Sequence, residues 1–329
     1  MARRRDLRPS SRSPQTTLAR VPIDQGRPDR DTVTTMPFEA KVPGNASDRL
    51  PDFIIIGAAK AGTTSLDLYL GLHPDIFMAR PKEPRFFVDA ASPLGNWDKG
   101  IDWYKRLFVT GKRLCGEASP QYARAPYWPG VPERMAAVVP NAKLIYLVRE
   151  PMARLRSNYI MNMKRGAVGG SLAEYVDANS YALDASCYGR QLEGYLAHFP
   201  LERILVVESA DLDADRLGTL RRIFRFLGAD DSFFTPIFFR RRLVGAAEGY
   251  PSPLGRRIER SAVMRAAQRT MPGSLFYHVR NVVLAPFMLP DPSTELPVAR
   301  ERELQALFRE EVGLLRRLTG LPLPSLDAD

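Results

Sequence analysis

The sequence predicts an α/β fold: a parallel sheet with helices on both faces, in a single domain. Three observations point there. Phe53–Ile56 and Lys143–Val148, the latter apolar from Leu144 on, are runs of the kind found in strands buried on both sides. Arg203–Val207 is a third such strand. Helical patterns separate them, which is the alternation that gives parallel strands with crossover helices.

The elements follow in order. The spacing predicts a helix from Thr63 to Leu72, halted by Pro74 after His73. Lys82-Glu83-Pro84-Arg85-Phe86-Phe87 reads as a loop anchored in the core by its two phenylalanines. A short helix is expected over Asp102–Phe108, then a strand end and loop over Leu114–Pro120, then a helix over Pro132–Val139. Arg149-Glu150-Pro151 ends the second long strand, and a helix is expected from Met152 to Met163. Helices over Tyr188–His198 and Leu212–Leu227 flank the third strand, the latter stopped by Gly228. From Thr235 to Pro297 the pattern weakens, and Glu301–Leu318 is then an amphipathic helix.

At 329 residues the chain is long enough for one large core. Residues 1–49 are expected to be a disordered basic tail, without the apolar run of a secretory signal, and residues 50–329 the folded α/β domain. A net charge of +10 favours an anionic partner, although an arginine-rich genome would leave the same mark. Basic and aromatic residues show no clear periodicity, so nucleic acid is not the expected partner. Two cysteines make no disulfide framework and suit a reducing, cytoplasmic compartment. No metal cluster is visible, and His73, His198 and His278 are isolated. The apolar stretch 281–289 is too short to span a membrane; it suits either core packing or peripheral contact with lipid.

The stretch from Gly57 to Ser65 carries the chemistry. A strand runs into a small-residue loop and then a helix, a layout that presents backbone N–H groups to an anion. Gly57 and Gly62 have the spacing of the nucleoside-triphosphatase loop, but Thr63 stands where that loop has lysine, and Lys60 lies inside it. Arg149 closes the second strand at its carboxyl end, where open parallel sheets bind ligands, and Ser157 follows on the next helix. Arg149 would hold a phosphate or else pair with Glu150 or Glu117. Two phosphate contacts at one sheet edge suit a nucleotide with two separate phosphates. A triphosphate would need a magnesium carboxylate at a strand end, where only Glu208 offers itself.

With these motifs the chain resembles the sulfotransferases that use 3′-phosphoadenosine 5′-phosphosulfate, and in particular their bacterial and heparan sulfate branches. The loop Gly57–Ser65, the segment Tyr146–Pro151 through Arg154 and Ser157, the Lys82–Phe87 loop and Gly116–Tyr122 carry the likeness. The resemblance implies a P-loop-like fold and sulfuryl transfer to a hydroxyl or amine, with no metal. It implies that Lys60, Ala61, Gly62, Thr63, Thr64 and Ser65 hold the 5′-phosphosulfate, and that Arg149 and Ser157 hold the 3′-phosphate. Lys60 would stabilise the leaving phosphate or only bind it. Cytosolic members use a histidine base, and none of the three histidines lies at a strand exit, so Glu117 is the expected general base, with Lys82 assisting. Glu117 as a purely structural partner of Lys82 or Arg149 is the alternative. The likeness departs at residues 240–251, which lack the cysteine and lysines of the glycan enzymes' lid; arginines would have to close over the donor there. A carbohydrate or glycolipid acceptor is expected first, a small phenol or alcohol second. Trp97, Trp103, Tyr122, Tyr127 and Trp128 would stack on it or pack in the core. A P-loop nucleotide kinase and a non-catalytic nucleotide-binding module are the rival functions.

Overall fold

The computed structural model describes residues 49–92, 94–239, 249–271 and 273–327. The expected tail and most of the arginine-containing lid segment (residues 240–248) lie outside the described residues.

Five strands form one sheet: β1 (Phe53–Gly57), β2 (Ile76–Met78), β3 (Leu114–Ala118), β4 (Lys143–Val148) and β5 (Ile204–Glu208). Their order is β2-β3-β1-β4-β5 and every pairing is parallel. All five residues of β1 are buried, because helices cover both faces of the sheet. β2 is a strand that sequence patterning does not pick out; it is only three residues long.

The helices are α1 (Thr63–Gly71), α2 (Gly100–Lys105), α3 (Val131–Val138), α4 (Pro151–Arg165), α5 (Leu172–Ala178), α6 (Ser180–Asp184) and α7 (Tyr188–Leu196). After β5 come α8 (Ser209–Ala214) and α9 (Arg216–Leu227). The single helix expected over 212–227 is thus two, divided at Asp215, whose carboxylate caps α9 by accepting from Gly218 N (2.9 Å). The weakly patterned segment holds a small antiparallel pair, β6 (Tyr250–Pro251) and β7 (Met288–Leu289), with α10 (Pro253–Glu259), α11 (Ala262–Thr270) and α12 (Gly273–Leu284) between them. These helices bury few apolar residues (only Met264 in α11), so they carry little core periodicity. No helix among the described residues is long and apolar enough to cross a membrane.

The last helix, α13 (Val298–Thr319), buries Leu304, Phe308, Val312 and Leu315 as its periodicity predicts. It closes a second core with α4, α5 and α6. It also lies tight on α7: a Cβ at Gly189 would stand 2.6 Å from the Glu311 carbonyl oxygen. Phe86 and Phe87 are fully buried, so the loop that carries Lys82 and Glu83 is pinned to the main core. His73 is a buried turn residue: its ring accepts from Asp75 N (3.1 Å) and packs between Phe224 and Phe233.

Candidate active site

Chain direction puts the carboxyl ends of β1, β3 and β4 side by side, and the residues that follow them form one site. After β1 the chain turns through Ala58–Gly62 into α1. Gly57 is required by space, since a Cβ there would lie 2.8 Å from Ala123 Cβ and 3.0 Å from the Tyr146 ring. Gly62 is required by conformation, with φ +98° at the N-cap of α1. No side chain caps α1. Among the described residues the N–H groups of Lys60, Gly62, Thr63 and Thr64 find no acceptor, which leaves a row of free donors at a helix N-terminus.

After β4, Arg149 turns back over this loop, and its Nη1 donates to the Lys60 carbonyl (3.3 Å). The two motifs therefore meet. Glu150 is not a partner for Arg149: its carboxylate caps α4, accepting from Met152 N (2.7 Å) and Ala153 N. Arg149 and Lys60 form no ion pair among the described residues. Ser157 sits half-buried on the second turn of α4. The Lys60 amine is held below its ordinary value by burial first, and then by the charges of Arg165, Arg149, Arg154 and Lys164. A half-buried cation among other cations, beside a row of free N–H groups, fits an anion with several oxygens.

The loop after β2 is tied to the segment that leaves β3, through Arg85 N on Ser119 Oγ and Gln121 on Glu83. Glu83 and Arg85 adopt left-handed backbone, with φ +63° and +51°, and Lys60 does so at φ +75°. Such positions cost about 1–3 kcal/mol each and persist where the surroundings impose them. Lys82 pairs with Glu83 (3.3 Å), and Gln121 Nε2 donates to the other Glu83 oxygen (2.7 Å). The Glu83 side chain remains 31% exposed. Burial pushes its carboxyl up, but Lys82, Gln121 and Arg85 together outweigh that, and the net shift is downward. Glu83 is an ionised, reachable carboxylate, one residue beyond the lysine that the sequence singles out.

Glu117 is placed differently from the expectation. It is 0% exposed. Its Oε1 accepts from Tyr104 OH (2.8 Å) and Tyr122 OH (2.7 Å), and its Oε2 accepts from Ser119 Oγ (2.6 Å). Burial raises its pKa, opposed by those three hydroxyls and by Lys82. Ser119 Oγ in turn accepts from Arg85 N (3.1 Å), so Glu117 is tied to the Glu83 loop. Tyr104 of α2 and, from the stretch just after Glu117, Ser119 and Tyr122 enclose its carboxylate and leave no route for an outside hydroxyl. Glu208 is also spent, on Ser325 N (2.8 Å) and Oγ. Among the described residues no group of three or more His, Cys, Asp or Glu side chains is arranged to hold a metal. Of the aromatic residues, Tyr122 and Trp128 are buried in the core, Trp97 and Trp103 pack against it, and Tyr127 is 44% exposed.

A scan against family models matches residues 50–237 to the sulfotransferase domain. Among curated proteins, the chain is 29% identical over 267 residues to the human heparan sulfate glucosamine 3-O-sulfotransferase 3B1, covering 74% of this chain and 66% of that protein. It is 32% identical to the mouse protein of the same name over 58% of this chain and 50% of the other. The chain thus spans between half and two thirds of the length of these relatives. Among solved structures, a sulfotransferase from Alicyclobacillus acidocaldarius superposes with a TM-score of 0.60 at 26% identity, covering 85% of this chain and all (100%) of the other.

Proposed function

This chain belongs to the sulfotransferase family, and from that premise we propose that it transfers a sulfuryl group from 3′-phosphoadenosine 5′-phosphosulfate to a hydroxyl or amine of a carbohydrate acceptor. The observation that carries the donor assignment is the contact of Arg149 with the Lys60 carbonyl, at the mouth of an uncapped helix and with no acid pairing either cation. The loop Lys60–Ser65 holds the 5′-phosphosulfate by its N–H groups and hydroxyls. Arg149 and Ser157 hold the 3′-phosphate. The bound donor supplies an activated sulfuryl group on a phosphate oxygen.

Lys60 neutralises the charge that gathers on the bridging oxygen as the S–O bond to phosphate breaks, an interaction that strengthens toward the transition state. Glu83 takes the acceptor proton as the new S–O bond forms. This role passes from Glu117 to Glu83 because a base must touch the acceptor, and Glu83 is ionised and exposed whereas Glu117 is sealed. Lys82 holds Glu83 in place and keeps it ionised. Glu117 keeps a structural part, through Ser119, in fixing the loop. Relatives that are named heparan sulfate sulfotransferases support a glycan acceptor.

The test is transfer of labelled sulfate from the donor to a panel of glycans, glycolipids and phenols. Label on a glycan, lost in Lys60→Ala, is the expected result. Label appearing only on a phenol would overturn the acceptor class, and label on nothing would overturn the activity.

A further inference from the structure

We infer that the three helices between β6 and β7 form a docking face for an anionic lipid surface, to which the chain binds peripherally. The inference is independent of the donor assignment. α10, α11 and α12 hold together as one unit. Ser252 N donates to the Phe287 carbonyl (2.8 Å), and a Cβ at Gly255 would stand 2.9 Å from the Phe287 Cβ. Arg280 of α12 pairs with Glu259 of α10, its Nε donating to Oε1 (2.7 Å). The unit rests on the C-terminal end of α4. Lys164 pairs with Asp291 there (2.8 Å), and a Cβ at Gly166 would stand 2.7 Å from Arg256 Nε. Lys164 follows Ser157 by about 10 Å along α4, so the unit joins the domain on the helix that carries a candidate site residue.

The charge of the unit is one-sided. From Pro253 to Leu284 the sequence holds six arginines, no lysine and a single acid, Glu259, which is spent on Arg280. Arg257, Arg260, Arg265 and Arg269 are exposed and form no ion pair among the described residues. Elsewhere the pattern differs: Arg113, Arg190, Arg222, Arg225, Arg300 and Arg316 each pair with an acid. An arginine-rich composition alone therefore does not account for this face.

Apolar side chains share that surface. Leu254 is 56% exposed, Val263 77% and Val282 61%, and Val283 and Leu289 are exposed as well. Leu254 adjoins Gly255, which packs on Phe287, and Val282, Val283 and Leu289 stand within a few residues of Phe287, so these positions share one end of the unit. Along α11, Val263, Ala266 and Thr270 follow at spacings of three and four and are all exposed, bordered by Arg265 and Arg269, while Met264 is buried. In water the arginines repel one another and the apolar side chains stay hydrated. An anionic bilayer satisfies both: headgroup charge meets the arginines, and the valines and leucines enter the boundary between headgroups and acyl chains. A nucleic acid or an acidic glycan would answer the arginines alone. No helix among the described residues is long and apolar enough to cross a membrane, so these helices lie on it.

The experiment is co-sedimentation of the full chain with phosphatidylcholine vesicles, with and without phosphatidylglycerol, over a range of salt, with retention on heparin as the soluble-polyanion control. Binding to the vesicles that contain phosphatidylglycerol is expected to be roughly tenfold or more tighter than to phosphatidylcholine alone, and to weaken as salt rises. Arg257→Gln, Arg260→Gln, Arg265→Gln and Arg269→Gln together are expected to remove that preference. Val263→Ser with Val282→Ser is expected to weaken vesicle binding roughly threefold or more and to leave heparin retention unchanged. All the substituted positions are exposed, so both variants are expected to keep the wild-type melting temperature. No preference for the anionic vesicles, or undiminished vesicle binding in the arginine variant, overturns the docking face. Loss of binding in the arginine variant with none in the valine variant gives the arginines to a soluble polyanion and overturns the lipid assignment.

Discussion

Replacing Glu83 by glutamine removes the proposed base while leaving its shape and one oxygen for Gln121 Nε2. A general base contributes about 10²–10⁴-fold, or about 3–5 kcal/mol of barrier, so turnover falls by that factor. Donor binding stays within about twofold, because the row of donors and Lys60 are untouched. The same replacement at Glu117 has a different expected outcome. An amide oxygen still accepts from Tyr104 and Tyr122, the amide nitrogen donates to Ser119 Oγ, and Ser119 still accepts from Arg85 N. Turnover in Glu117→Gln therefore stays within about tenfold of wild type. Glu117→Ala strips the acceptor from three buried hydroxyls, each costing about 1–3 kcal/mol. That total is comparable with the ~5–15 kcal/mol stability of a domain, so this variant unfolds on mild heating. The assay is single-turnover transfer of labelled sulfate to a glycan acceptor, with bisphosphate affinity and melting temperature measured on the same preparations. Near-normal turnover in Glu83→Gln, together with a hundredfold or greater loss in a well-folded Glu117→Gln, would refute the reasoning.

Four further outcomes are expected. Lys60→Ala lowers turnover more than it weakens donor binding, because the charge acts most in the transition state; equal losses in both would reduce Lys60 to a binding charge. Arg149→Ala abolishes the preference for 3′-phosphoadenosine 5′-phosphate over adenosine 5′-phosphate, read by competition calorimetry. Binding of the bisphosphate takes up protons at alkaline pH, because the anion raises the lowered Lys60 pKa; buffers of different ionisation enthalpy report the uptake. Because the Glu117 pKa is raised by folding, wild-type stability falls relative to Glu117→Gln as pH rises past the ordinary glutamate value of 4.5, read from paired melting curves.

How much of this was legible in the sequence depended on whether the cause was local. β1 and β4 are contiguous apolar runs buried on both faces, and their exits could be read as ligand sites because parallel topology places such exits together. The contact between Lys60 and Arg149 follows from that adjacency. β2 escaped notice because three residues carry no periodicity. The helices between β6 and β7 escaped because they bury few apolar side chains and so lack a core stripe. Glu117 was visible as an acid at a strand exit, with Ser119 and Tyr122 in the same motif, but that these two turn back on its carboxylate and that Tyr104 of α2 closes over it are tertiary facts. Glu83 stood beside Lys82 in the same loop, yet its exposure and left-handed backbone are tertiary facts.

The most direct test of the account is calorimetric titration of the chain with 3′-phosphoadenosine 5′-phosphate and with ATP in chelator-treated buffer. Tight binding of the bisphosphate, much weaker binding of ATP, and loss of that difference in Arg149→Ala are predicted. Tight binding of ATP with no response to the bisphosphate would contradict it.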